Sequence, residues 1–347
     1  MKTGFRFWVG VSLVLVYLVI AAGAIVRVTG SGMGCPDWPK CFGYLIPPTE
    51  REQLDWNAQH EYNEGEVIIV DEVLRVAKMD FISSSQYVQS NWEAYTKHDY
   101  AHFNAFHTWV EFINRLAGAL AGIATLIVGL LSIRYWKKKK RIPLLSLLVI
   151  LGMGFQAWLG KTVVDSNLLP AKITVHMVMA LLIVAVLVYL YAFTSPHKKE
   201  AITPPALIKK LGLVALGLTL IQIGIGTQIR QFIDLQIDFY GLDQAAKWLN
   251  PAPFKFYFHR SFSILVVLIN GYLFYTLRKM NLNFPVFKWV LFTLICEVLT
   301  GILMYYLDFP FASQPLHLLL ASLLFGAQLY FLFQLFNHHI NLPKHDL

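Results

Sequence analysis

Eight runs of about twenty predominantly apolar residues fix the fold class of this chain. A bilayer's hydrocarbon core takes a helix of about that length and admits only backbone whose N–H and C=O groups are bonded internally. The runs fall at 7–28, 108–133, 143–163, 172–193, 206–228, 256–277, 286–307 and 314–336 of 347 residues. The expected architecture is an all-α integral membrane protein of eight transmembrane helices. Only 14% of residues are charged, against about 25% in soluble domains. Pro143, Pro170, Pro204, Pro205, Pro285 and Pro315 gather at the ends of the runs, where a missing backbone donor does little harm. Phe7 to Val26 is long enough to span and lacks a small-residue cleavage site, so it reads as a helix and not as a removable signal.

Charge sets the expected orientation. The net charge of +8 would suit nucleic acid were it gathered on one face, but the cations fall in every second connection. Lys2 and Arg6 precede the first run. Arg134, Lys137, Lys138, Lys139, Lys140 and Arg141 follow the second, Lys198, Lys199, Lys209 and Lys210 the fourth, and Arg278, Lys279 and Lys288 the sixth. That alternation is the positive-inside pattern: both termini are expected in the cytoplasm, with membrane lipid and not nucleic acid as the basic face's partner. The long loop 30–107 is then external. It carries Glu50, Glu52, Asp55, Glu61, Glu64, Glu66, Asp71 and Glu72. Within it Glu66–Met79 mixes β-branched residues with late helical spacing, so a short amphipathic element is expected. Cys35 and Cys41 lie just beyond the first run, in a compartment that permits a disulfide. Cys296 sits in an apolar run and reads as a small buried hydrophobe.

The chain also repeats itself. Gln156, Gly160 and His176 match Glu297, Gly301 and His317 at identical spacing. Asn114–Arg115 matches His259–Arg260, and Arg27 in GAIVRVTG matches Arg230 in GTQIRQFID. Two pseudo-symmetric four-helix bundles are expected, residues 1–193 and 206–336, as parallel repeats about an axis along the membrane normal.

Of eleven histidines, His176, His259 and His317 lie clearly within runs. Ionisable residues in a membrane are costly and face the bundle interior. All three fall within roughly 6 Å of the external boundary, at 1.5 Å per residue. Zinc would need its ligands on one point, whereas the duplication separates His176 from His259 and His317. Two imidazoles on different helices of one bundle suit a planar macrocycle such as haem. Arg230 and Arg260 then suit its propionates; snorkelling to headgroups is the plain alternative.

The stretch GAIVRVTGSGMGCPDWPKCFG (Gly23–Gly43) resembles the signature of the haem A synthase family. So do EFINR (Glu111–Arg115), the Gly160–Pro170–His176 segment, FHR (Phe258–Arg260) and Pro315–Leu316–His317. The likeness covers all eight runs but not the acidic part of loop 30–107. It implies a membrane oxidoreductase that oxidises a methyl group of haem O to the formyl of haem A for terminal oxidases. It implies a haem b cofactor with axial ligands His259 and His317, and Arg230 and Arg260 beside it. The substrate haem O falls to the N-terminal half, with His176, Asn114, Arg115 and Arg27, and with Glu111 in the catalytic, proton-handling role. Haem O synthase and an electron donor become expected partners, oligomers are left open, and the inner membrane becomes the expected location.

One departure matters. Where the family motif ends in His-Arg, this chain has Asn114-Arg115, and Asn is a poor iron ligand. The N-terminal site should offer one strong ligand, His176. His107 lies seven residues earlier, about 10 Å along the helix, and reads as surface. Cys35 and Cys41 fall in the CPDWPKC motif, for which the resemblance implies a disulfide that is either a staple or redox-active. An electron carrier across the bilayer would place haems near both faces, and a transporter would show paired Gly/Pro breaks; neither pattern is present.

Overall fold

The computed structural model describes residues 3–96, 103–166, 168–195 and 204–336; Lys2, Lys198 and Lys199 of the charge pattern lie outside them. Eight helices are long and apolar enough to cross a membrane: α1 Thr3–Val28, α2 Ala105–Ser132, α3 Arg141–Asp165, α4 Pro170–Phe193, α5 Ala206–Tyr240, α6 Phe254–Lys279, α7 Pro285–Tyr306 and α8 Ser313–Phe336. The protein is an all-α multi-span membrane protein with a small β insertion. Pro285 opens α7 at a position whose N–H has no intrahelical partner to lose. Large apolar side chains such as Leu130, Leu268 and Trp289 are exposed, as a lipid-facing surface requires.

α5 is the main departure from the expected boundaries. The apolar run ends near residue 228, but the helix continues to Tyr240 and stops at Gly241, whose N–H donates to the Ile237 carbonyl. At about 1.5 Å per residue its 35 residues reach about 52 Å, well beyond a hydrocarbon core of about 30 Å. The continuation RQFIDLQIDFY alternates apolar and charged groups, so hydropathy alone does not see it.

The described chain divides into two compact units. The first takes in Met1–Ala21, Ala121–Met153 and Val178–Leu347. Here α5 packs on α6, α6 on α7, α7 on α8 and α8 back on α5, a closed four-helix arrangement cored by Ile208, Leu273, Phe287, Val290 and Phe331. Phe5, Val16, Val128, Val149, Val184 and Leu187 form its other core, from α1 to α4. Gln328 on α8 donates to the Asn270 side chain on α6 at 3.1 Å, both fully buried, a polar tie in an apolar setting.

The second unit takes in Ala22–Leu120 and Gly154–Met177. Its loop between α1 and α2 holds five short strands: β1 Glu61–Tyr62, β2 Val67–Val70, β3 Val73–Ala77, β4 Phe81–Ile82 and β5 Trp92–Ala94. They pair antiparallel as β1–β4 and β2–β3–β5. The Glu66–Met79 segment is therefore a hairpin, not a helical element. Val67 and Ile69 pack with Cys35, Cys41 and Leu54, while Ile68 between them packs with Tyr62 and Trp92. Both faces of β2 are buried, which removes the alternation that marks a half-exposed strand.

Candidate functional site

Each candidate histidine sits against a glycine on the preceding helix. A Cβ on Gly160 of α3 would stand 3.4 Å from His176 Cε1, on Gly226 of α5 3.2 Å from His259 Cε1, and on Gly301 of α7 3.6 Å from His317 Cε1. In the first helix pair, Gly23 of α1 takes the same place opposite Asn114 Oδ1, at 3.8 Å. The missing side chain admits the ring between closely packed helices. A polar residue one turn before the glycine then ties the histidine down. Gln156 donates to the His176 carbonyl and Gln222 to the His259 carbonyl, each at 3.0 Å. Glu297 stands 3.2 Å from His317 Nε2. The Gln222–Gly226–His259 set went unrecognised in the sequence because 37 residues, not 20, separate its ends.

His259 and His317 come together, on α6 and α8, with ring centroids 6.5 Å apart. Two imidazoles sharing one metal through bonds of roughly 2 Å would have centres about 6 Å apart, so the spacing suits a haem iron, although binding would have to part His317 Nε2 from Glu297 or Nδ1 from Thr300. His259 Nδ1 is buried without a partner among the described residues. His317 Nδ1 bonds the Thr300 hydroxyl at 2.9 Å. These histidines lie five and four residues beyond the first residue of their helices. Arg230 follows Gly226 by one turn and pairs with Asp234 at 2.6 Å. Arg260 is exposed, its guanidinium 5.3 Å from the Tyr257 ring and 5.8 Å from the Tyr305 ring. Donors, rings and an exposed cation thus fit a haem with anionic side chains.

The other residues cluster in the second unit. His176 lies six residues beyond the first of α4, with Nδ1 buried and without a partner among the described residues. Asn114 Oδ1 is in the same state. Arg27 follows Gly23 by one turn, as Arg230 follows Gly226. Glu111 is 4% exposed: one carboxylate oxygen accepts the Cys35 N–H at 2.9 Å and the other accepts from Arg115 at 2.5 Å. Cys35 and Cys41 are both buried, with Cα atoms 4.8 Å apart, within disulfide range. Gly34 is required beside them, since a Cβ there would fall 2.4 Å from the His107 carbonyl oxygen. His107 is the third residue of α2 and, like the free Cys296 of α7, is partly exposed.

The Cys35–Cys41 loop is closed from inside by Asp37, whose carboxylate accepts the N–H groups of Phe42 at 2.5 Å and Gly43 at 2.8 Å. Burial raises the Asp37 carboxyl above its ordinary value, while these donors and the Arg115 charge pull it back. Tyr95 donates its hydroxyl to the Pro36 carbonyl, and burial pushes that phenol up.

Comparison with known proteins follows the same path. The COX15-CtaA model, described as cytochrome oxidase assembly protein, matches residues 6–83 and 81–329. The haem A synthase of Wolbachia pipientis subsp. Culex pipiens is 24% identical over 351 residues, covering 93% of this chain and 95% of its own. That of Rickettsia conorii is 25% identical over 354 residues, covering 91% and 94%. That of Shewanella oneidensis is 27% identical over 217 residues, covering 62% of this chain and only 54% of its own.

Proposed function

This chain belongs to the COX15-CtaA family of cytochrome oxidase assembly proteins, and we propose on that premise that it is a haem A synthase, oxidising a methyl group of haem O to the formyl of haem A. The observation that carries the reading is the repeated glycine–ligand motif. It sets two imidazoles 6.5 Å apart in the C-terminal half and gives an imidazole and an amide the same glycine backing in the N-terminal half.

We assign a resident haem b to His259 and His317, with Arg260 and Arg230 toward its propionates. Bound there, it would supply one-electron redox chemistry. Haem O is the substrate of the N-terminal half, residues 1–193, facing His176, Asn114 and Arg27. Gly160 and Gly23 let these groups sit deep between helices, where lipid and protein exclude bulk water. Asn114 offers the substrate iron no strong ligand, so His176 alone holds it and the other side stays open for exchange. Glu111 handles protons at the substrate, its carboxylate oriented by Cys35 N–H and Arg115. We read Cys35–Cys41 as a disulfide on the extracytoplasmic side of the inner membrane, with both termini cytoplasmic. An electron donor and haem O synthase are the partners this chemistry calls for.

The test is haem extraction and chromatography of membranes from cells that make haem O, with and without the chain. The reading predicts haem A, lost in Glu111→Ala and in His259→Ala. A normal b-type spectrum without haem A would overturn it in favour of an electron carrier.

A further inference from the structure

The duplicated arginines do different work. Arg260 is exposed between two tyrosine rings. Arg115, its counterpart in the repeat, is half-buried and fully engaged. A guanidinium has five N–H donors in a rigid fork, and Arg115 makes five bonds. Nε donates to Glu111 Oε1 at 3.1 Å. One terminal nitrogen donates to the carbonyls of Asp37 at 2.7 Å and Lys40 at 2.9 Å. The other donates to Glu111 Oε1 at 2.5 Å and the Cys35 carbonyl at 3.3 Å. Three acceptors thus belong to the backbone of the Cys35–Cys41 loop and two bonds go to one carboxylate oxygen, leaving no donor for a substrate propionate.

The loop answers through the same carboxylate, since Cys35 N–H donates to the other oxygen of Glu111. Thr108, one turn before Glu111, fixes the entry to the loop by donating to the Gly34 carbonyl at 2.8 Å. Thr108, Glu111 and Arg115 lie on one stripe of α2, at i, i+3 and i+7.

We propose that Arg115 is a positioning residue and not a substrate cation: it clamps the Cys35–Cys41 loop onto α2 and, through it, sets the orientation of the Glu111 carboxylate. The loop and the carboxylate then form one mechanical unit, and the cysteine pair acts on the reaction by holding Glu111 in place. This rests on the proposed role of Glu111, but the clamp itself does not.

The test has two arms. Arg115→Lys keeps the charge and loses the fork. In turnover of haem O it should lower kcat about a hundredfold, the cost of misplacing a reacting group by about 1 Å. Affinity for haem O, read by titration of the purified protein, should stay within about twofold. Cys35→Ser with Cys41→Ser should give a similar loss, and adding Arg115→Lys to it should cost little more, because coupled residues are not additive. The second arm needs no turnover: hydrogen exchange of a peptide covering 34–43 should quicken about tenfold in Arg115→Lys and in Glu111→Gln, as charge-assisted bonds to the loop are lost. Weakened haem O binding with unchanged exchange would overturn the clamp and return Arg115 to the substrate. Multiplying losses in the combined variant would overturn the coupling. Quickened exchange in a protein that makes no haem A would uphold the clamp and refute the role of Glu111.

Discussion

The pairs α1–α2 and α5–α6 start from the same plan and end with different chemistry. Each sets a glycine against a polar side chain on the next helix, Gly23 against Asn114 and Gly226 against His259. Each places an arginine one turn beyond the glycine and another directly after the polar residue. In α5–α6 the polar group is an imidazole facing a second imidazole, and Arg260 is exposed. In α1–α2 it is an amide, and Arg115 is tied to a loop that α5–α6 lacks. A shared scaffold fixes where groups can stand; on the proposed function, the side chains decide whether the place holds a cofactor firmly or leaves a substrate exchangeable.

The comparison breaks most visibly at the ligands. His259→Ala or His317→Ala should abolish the b-type absorbance of the purified protein, while Asn114→Ala should leave it intact; optical spectra of the three variants decide this. Next come the arginines. Arg115→Ala leaves a buried carboxylate without its partner and should cost about 3–5 kcal/mol, read as a lowered Tm in detergent. Arg260→Ala should leave Tm nearly unchanged but weaken haem b retention roughly tenfold.

The glycines give a finer contrast. Gly226→Ala presses a methyl on the His259 ring at 3.2 Å and should cost about 1–3 kcal/mol of packing, seen as haem loss. Gly23→Ala, at 3.8 Å, should be tolerated and add up to about 1 kcal/mol of helix propensity. Smallest is a pH effect in the loop. The Asp37 carboxyl is raised in the fold, so its contribution to stability is fully present below its unfolded value of about 3.9 and is lost as pH rises through the folded value. Asp37→Asn should flatten that step, read as Tm against pH.

The spans and the histidines were legible because apolar length and a buried imidazole are written in residue types. Arg115 was not. Its partners are mainly backbone carbonyls of residues 35, 37 and 40, which every residue carries, so a cation beside a substrate and a cation beside a loop read alike. The hairpin at Val67–Ala77 escaped because its two faces pack into two different cores. The third glycine–histidine set escaped because the continuation of α5 to Tyr240 and the connection 241–253 stretch its spacing. What the sequence cannot express is which main-chain groups a fold will bring to a side chain.

The central claim is that the two halves hold haem differently. Electron paramagnetic resonance of the oxidised protein, loaded with haem b and with haem O, tests it most directly. The account predicts one low-spin bis-imidazole signal that His259→Ala removes, beside a high-spin signal that Asn114→His converts to low-spin. Two low-spin bis-imidazole signals in the unaltered chain would contradict it.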